Sequence, residues 1–259
     1  MSTSRITACI ITLNEEKNIE ECIRSVIDVV DEVIVLDSGS TDSTCDIAKQ
    51  LGAHIVSHKY LGDGFQKNSA ASFASNDWIL SLDADERASD ELRLFLKDAN
   101  LSHGFCYSFR RKNHVSTRWI KYGDAYPDRL IRLYEKSIHK YKDVIEHSNI
   151  VSSRIIERNE NILHYGTRSI AEMYEKSTKF AKRSAKKLYT TQSKVKNPFI
   201  SGAWLFIRLY ILRLGFLGGI DSFHHCFSAG LRSFYKYSFL REYLADSKVA
   251  NDLDSNSLW

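Results

Sequence analysis

The chain has 259 residues, 43% hydrophobic and 26% charged, which is enough for a full α/β core and excludes wholesale disorder. Its formal net charge is only +4 but uneven: residues 168–248 hold 15 Lys+Arg against 5 Asp+Glu, so the rest is net acidic and the basic segment points to an anionic partner. The five scattered cysteines form no C-x-x-C pair, which excludes a disulfide framework or zinc knuckle and fits a reducing compartment.

The polar stretch 1–5 runs straight into a strand, so no secretory signal is expected. Residues 6–13 form a buried-strand candidate, broken at Asn14, which caps the next helix. Ile19, Cys22, Ile23, Val26, Ile27 and Val30 give that helix one apolar face at a period of 3.6. Residues 32–36 are a second strand, ending in the polar loop 37–42. There Thr41 or Asp42 caps a helix carrying Ile47, Ala48 and Leu51, and Gly52 ends it. Residues 53–57 make a third strand. The Gly62-Asp63-Gly64 turn, too short for a phosphate loop, leads to a helix over 65–74. The apolar run Trp78-Ile79-Leu80-Ser81-Leu82 is a fourth strand, cut off by Asp83-Ala84-Asp85-Glu86. Strand and helix alternate four times, the pattern of a parallel sheet covered on both faces.

Residues 104–111, 129–134 and 161–165 read as further strands that add an antiparallel section, with a polar and aromatic loop at 113–128. From Arg168 the chain turns helical. Ile170, Met173, Tyr174, Ser177, Ala181, Ala185 and Leu188 form one stripe, and residues 221–244 another long helix. Between them, 198–220 is strongly apolar, yet Arg208 stands at its middle, where an arginine costs about 2.5–3.5 kcal/mol on insertion scales. An in-plane helix is therefore expected, with Trp204, Phe206, Tyr210 and Phe216 at the lipid boundary and Arg208 and Arg213 among headgroups. The expected division is a catalytic domain at 1–167, a basic and apolar helical region at 168–245 that associates with membrane or acceptor, and a polar tail at 246–259.

Ligands of such sheets bind beyond the carboxyl ends of the strands, and Asn14, Asp37 and Asp83 all fall there. Asp83 and Asp85 lie two apart, so on extended backbone both reach one hard cation that keeps positions open for phosphate oxygens. A lone Asp-x-Asp is more often a solvated acidic turn; the convergence of three strand ends favours the site.

Together these residues resemble the family-2 inverting glycosyltransferases of GT-A fold. Ala8-Cys9-Ile10-Ile11-Thr12-Leu13-Asn14-Glu15, Val35-Leu36-Asp37-Ser38-Gly39-Ser40-Thr41-Asp42, Lys67-Asn68 and Leu82-Asp83-Ala84-Asp85-Glu86 carry the match. Tyr126-Pro127-Asp128-Arg129-Leu130-Ile131-Arg132-Leu133-Tyr134 looks like a segment of the subgroup containing lipopolysaccharide core glucosyltransferases. The resemblance implies a Rossmann-like mixed, mostly parallel α/β sheet with helices on both faces and a C-terminal helical segment. It implies that Thr12, Asn14, Glu15 and Asp37 hold the uridine of a UDP-sugar, with Lys67 near the donor. Asp83 and Asp85 would act through Mg²⁺ or Mn²⁺ on the diphosphate. At 144–147 the order Glu146-His147 inverts what the subgroup more often shows, so which of the two inherits a role stays open.

The chemistry asks for a divalent ion to offset charge on the departing diphosphate and a carboxylate to take the acceptor proton. Asp128, opening a strand after a loop, is the first candidate base; Glu146 is second and Asp124 third. Arg129 and Arg132 are candidate diphosphate contacts, one of them alternatively a solvated strand face. The expected activity is transfer of a hexose, first of all glucose, to a lipid-anchored glycan, first of all the lipopolysaccharide inner core, at the cytoplasmic surface of the inner membrane. A polyprenyl-linked or capsular acceptor is the near variant, and a membrane scaffold with a silent transferase domain the non-enzymatic one. Nucleotidyl transfer lacks its Gly-rich basic loop, and no nucleic-acid partner is expected, because the basic region is interleaved with aliphatic stretches.

Overall fold

The computed structural model describes residues 4–143, 148–246 and 249, and the chain divides into two compact units. The first comprises the chain up to Asn113 together with Pro127–Gly166; the second comprises His114–Tyr126 and the chain from Thr167. The loop at 114–126, expected within the first domain, thus packs with the C-terminal helices.

In the first unit the N-terminal half follows the expected alternation. β1 (Ile6–Thr12), β2 (Glu32–Asp37), β3 (His54–Ser57) and β4 (Trp78–Asp83) pair in parallel in the order β3-β2-β1-β4. Between them run α1 (Ile19–Arg24), α2 (Thr44–Gln50) and α3 (Asp63–Ser72). The side-chain period of two sends alternate residues to opposite faces. Ile6, Ala8 and Ile10 meet Ile19, Cys22 and Ile23 of α1 and Ala48 of α2, while Cys9, Ile34, Leu36 and Ile79 meet Ala70 and Ala71 of α3. Each fully buried Ile or Leu here contributes about 1.5–3 kcal/mol. Helix α1 is shorter than its apolar pattern: Val26 is buried in the turns that follow, but Ile27 is exposed.

The other half of the sheet is antiparallel. β5 (Glu86–Ala88), β6 (Cys106–Val115), β8 (Asp128–Glu135) and β9 (Ile155–Thr167) extend the order as β4-β8-β6-β9-β5, with α4 (Asp90–Lys97) between β5 and β6. β5 and α4 have no counterpart among the expected elements, and β9 runs 13 residues where a short strand was expected. Tyr107 pairs with Leu133 and Ser108 with Ile131, so Arg132 is the extra residue of a β-bulge on β8. Bulges re-aim side chains, and this one turns Arg132 inward to 3% exposure.

The second unit contains β7 (Arg118–Ile120), α5 (Ile170–Thr190), α6 (Pro198–Ile207) and α7 (Gly219–Ala245). Ser169 caps α5 through Glu172 N, and Met173, Ser177, Ala181 and Ala185 form its buried stripe. Pro198 opens α6 at a position where the missing N–H costs nothing. After a π-turn at Arg208–Leu212, Leu214 takes a left-handed conformation (φ 56°) and the helix breaks. Among the described residues no single helix is long and apolar enough to cross a membrane; Pro198–Leu212 and Gly215–Ala245 suffice only together, bent by 69°. Phe199, Ile200, Trp204, Leu212, Leu217 and Ile220 of this stretch are exposed. Arg208 and Arg213, expected among headgroups, pair with Asp124 at 3.4 and 3.2 Å.

Candidate active site

The site is built in the first unit where parallel strands end. Thr12 pairs with Asp37 across β1 and β2, and Ile11 with Asp83 across β1 and β4, so three carboxyl ends share one rim. Asn14 stitches two of the loops: its N–H donates to Ser40 Oγ (2.8 Å) and its Oδ1 accepts Thr41 N–H (2.8 Å). Asp37 is 4% exposed and turned into its own loop, accepting from Gly39 N, Ser40 N and Ser40 Oγ. These bonds hold the carboxylate against the backbone of the loop that follows β2. Thr12, the last residue of β1, is 5% exposed and its Oγ1 has no protein hydrogen-bond partner. Glu15 accepts from Asn18 Nδ2 at 2.6 Å, and Glu15 N–H donates to Thr44.

The two carboxylates of Asp83-Ala84-Asp85, expected to reach one cation, have different protein partners. Lys67 of α3 places its Nζ 3.0 Å from Asp83 Oδ1 and 3.0 Å from Asp63 Oδ1. Arg132 Nη2 donates to Asp83 Oδ2 at 2.8 Å and to Glu86 Oε1 at 2.6 Å. Burial would raise the Asp83 carboxyl, but Arg132 and Lys67 outweigh it and hold it well below the usual carboxylate range. Both oxygens of Asp83 thus face protein cations.

Asp85 instead faces His164, Oδ2 to Nε2 at 3.3 Å. The register explains the meeting: Glu86 lies opposite His164 across β5 and β9, and Tyr165 N–H donates to Asp85 O. His164 Nδ1 sits 2.7 Å from Asn113 Oδ1, which accepts only from an N–H, so the other ring nitrogen is the one presented to Asp85. Burial would lower the imidazole, but the Asp85 carboxylate outweighs it and raises it. Gly166 closes the pair: a Cβ there would stand 2.5 Å from His164 Nε2 and 3.1 Å from Asp85 Oδ2. A carboxylate oxygen and an imidazole nitrogen oriented from behind by an amide suit a divalent ion whose remaining positions go to substrate phosphate. Among the described residues no cluster of three or more His, Cys, Asp or Glu is placed to hold one. Asp85 and His164 offer two donors of the kind Mg²⁺ or Mn²⁺ accepts, and would have to be completed by substrate oxygens and water. Sequence reasoning misses His164; the only trace of it is its place in an expected strand.

Asp128 opens β8 directly opposite Arg111 of β6. Arg111 Nη2 and Nε both reach Asp128 Oδ2, at 2.7 and 3.0 Å, and Arg111 Nη1 lies 3.5 Å from Glu86 Oε1. Arg129, the other candidate diphosphate contact, turns away to Glu157 and the carbonyl of Arg158, whereas Arg132 joins the site. Asn68 anchors Tyr141 and Asp143. Asp124 lies in the second unit between Arg208 and Arg213. Glu146, with His147, lies outside the described residues.

The chain is similar to known proteins along most of its length. An uncharacterized glycosyltransferase of Rickettsia felis is 32% identical over 94% of this chain and 92% of its own length. Another from Rickettsia bellii is 32% identical over 93% and 87%. Glucosyl-3-phosphoglycerate synthase from Mycobacterium tuberculosis, solved with Mn²⁺ and UDP-glucose, shares 28% identity over 43% of this chain and 44% of that one, with a TM-score of 0.35, too slight a likeness to build on. The profile of Glycosyl transferase family 2 matches residues 7–163, and the chain belongs to that family.

Proposed function

We propose that the protein is an inverting, metal-dependent glycosyltransferase that moves a hexose from a UDP-sugar to a membrane-anchored glycan. The observation that carries this reading is the side-by-side placement of Asp85 with His164 and of Asp83 between Lys67 and Arg132, at the end of β4. Thr12 and the loops tied by Asn14 and Asp37 receive the nucleoside. Asp83, held by the buried Lys67 ammonium and Arg132 guanidinium, stands beside the place of the donor diphosphate. Asp85 and His164 would hold Mg²⁺ or Mn²⁺, which supplies positive charge to the departing diphosphate. Asp128, oriented by Arg111, takes the proton of the acceptor hydroxyl, a role worth about 10²–10⁴-fold. One displacement inverts the anomeric centre.

For the acceptor, the exposed apolar residues from Phe199 to Ile220 and the basic surface of α5 favour a peripheral seat on an anionic cytoplasmic membrane face. On the resemblance of the 126–134 segment, glucose and the lipopolysaccharide inner core are the first donor sugar and acceptor to try; a polyprenyl-linked or capsular glycan is next.

The deciding experiment is UDP release from a panel of UDP-sugars with Mn²⁺, Mg²⁺ or chelator. Turnover of one UDP-hexose that chelator abolishes supports the reading. A folded protein that neither turns over nor binds any UDP-sugar sinks it and leaves the scaffold alternative.

A further inference from the structure

We propose that Glu86 is a positioning residue that holds the donor side and the acceptor side of the site in one frame, through two arginines. The proposal rests on Asp128 being the base of the transfer reaction above. Seven charged side chains run in alternation across five elements: Asp63 and Lys67 of α3, Asp83 of β4, Arg132 of β8, Glu86 of β5, Arg111 of β6 and Asp128 of β8. Glu86 is the anion between the two arginines and is fully buried. Its Oε1 receives Arg132 Nη2 at 2.6 Å and lies 3.5 Å from Arg111 Nη1, and its Oε2 accepts Asp83 N–H at 3.1 Å. Each arginine reaches on to a different carboxylate. Arg132 extends to Asp83 beside the donor, and Arg111 to Asp128 on the acceptor side.

Two guanidinium groups brought this close repel each other unless an anion lies between them, and a buried charge left without its partner is strongly disfavoured. Glu86 is that anion. Its own position is set by local geometry, because the hydrogen bond back to Asp83 N closes the turn that also carries Asp85. The bulge at Arg132 has the same consequence: without the extra residue the side chain would follow the strand alternation and not turn inward to Glu86. Charge on Glu86 therefore keeps Arg111 from leaning wholly on Asp128 and Arg132 from leaning wholly on Asp83. Loss of the charge lets both arginines drift onto their outer carboxylates and displaces the base relative to the donor. Binding of the nucleotide, made at the ends of β1 and β2, is left in place.

The experiment is steady-state hydrolysis of UDP-glucose with Mn²⁺, and of the other UDP-hexoses if that donor is not used, by wild type and four variants: Glu86→Gln, Arg111→Lys, Asp128→Asn and the double variant Glu86→Gln/Asp128→Asn. Glu86→Gln is expected to lower kcat by roughly 100-fold, the scale of a misplaced reacting group. Donor KM should stay within about threefold, since ground-state binding is retained. In the Asp128→Asn background the same substitution should cost far less, because the group it positions is already gone. Additive losses, or a Glu86→Gln enzyme whose KM and kcat fall together with its thermal stability, overturn the proposal and leave the transferase reading standing. If Glu86→Gln does not fold by circular dichroism, Arg111→Lys decides alone: it keeps the charge and loses the fork, so a lowered kcat at constant KM supports the frame and an unchanged kcat overturns it. Absence of turnover in the wild type with every UDP-hexose overturns the transferase reading and the frame with it.

Discussion

The two halves of the sheet divide the labour of the site. The parallel half, β1 to β4, contributes main-chain loops at strand ends, in which Asn14 and Asp37 spend their side chains on shaping backbone. The antiparallel half contributes side chains projected from within strands: Arg111, Asp128, Arg132 and His164. In the proposed site, the contrast gives the nucleotide to loops, which adapt to a ligand. A reacting centre with a metal and a base needs charges held by rigid neighbours and by each other.

If the antiparallel half holds the reacting groups, the heaviest losses fall there. Asp85→Ala and His164→Ala should each abolish the chelator-sensitive part of UDP release, measured with and without Mn²⁺; a variant that keeps full metal stimulation breaks the assignment of the pair. Next come the buried cations. Lys67→Met leaves Asp83 without one of its two partners, and breaking such a pair from one side costs about 3–5 kcal/mol, read as a lowered urea midpoint. Both side chains of the Arg132–Glu86 pair are under 5% exposed, so Arg132→Met should cost at least as much.

Behind the metal pair, Asn113→Ala frees His164 Nδ1 and should weaken Mn²⁺ binding about 10–100-fold by titration calorimetry, with little change in the affinity for UDP measured without metal. The same titration carries a pH dependence. Asp85 raises His164 above the ordinary imidazole value, so the ring stays protonated, and unable to ligate, to higher pH than an isolated histidine. Metal affinity should fall as pH drops through that raised value, read by repeating the titration across pH. The smallest effect belongs to the strand ends of the parallel half. Thr12→Val removes a buried hydroxyl that has no protein partner, so stability should stay within about 1 kcal/mol or rise slightly. UDP affinity should weaken; unchanged affinity would take Thr12 out of the nucleotide subsite.

The same division decided what could be read from the chain. Strands β1, β2 and β4 show as uninterrupted apolar runs that end at an Asn or Asp, and the helices between them show as 3.6-residue stripes. Each of these signals is contained in ten to twenty residues, about the range over which periodicity is informative. For Lys67 the chain offered only the family resemblance; its ion pair with Asp83 comes from the packing of α3 against the sheet. His164 was not legible: its meeting with Asp85 depends on the pairing of β9 with β5, two segments about 80 residues apart in sequence, and a strand register leaves no local mark. Arg129 and Arg132 looked alike as arginines of one strand. A bulge separates them, sending Arg132 into the site and leaving Arg129 to Glu157.

The C-terminal unit repeats the lesson at lower resolution. Its helices follow from amphipathic stripes and from Pro198 at the start of α6. The break at Leu214, and the capture of Arg208 and Arg213 by Asp124 from the 114–126 segment, do not. By itself the sequence determined the family, the parallel half of the sheet with its helices, the rim at the strand ends and the identity of Asp83 and Asp85, because these rest on local pattern and on motifs in a fixed order. Only the tertiary structure decided which carboxylate faces a histidine and which faces two cations, and that Glu86 lies between two arginines. Those outcomes depend on long-range register and on the mutual compensation of buried charges, and neither is a property of any single stretch of chain.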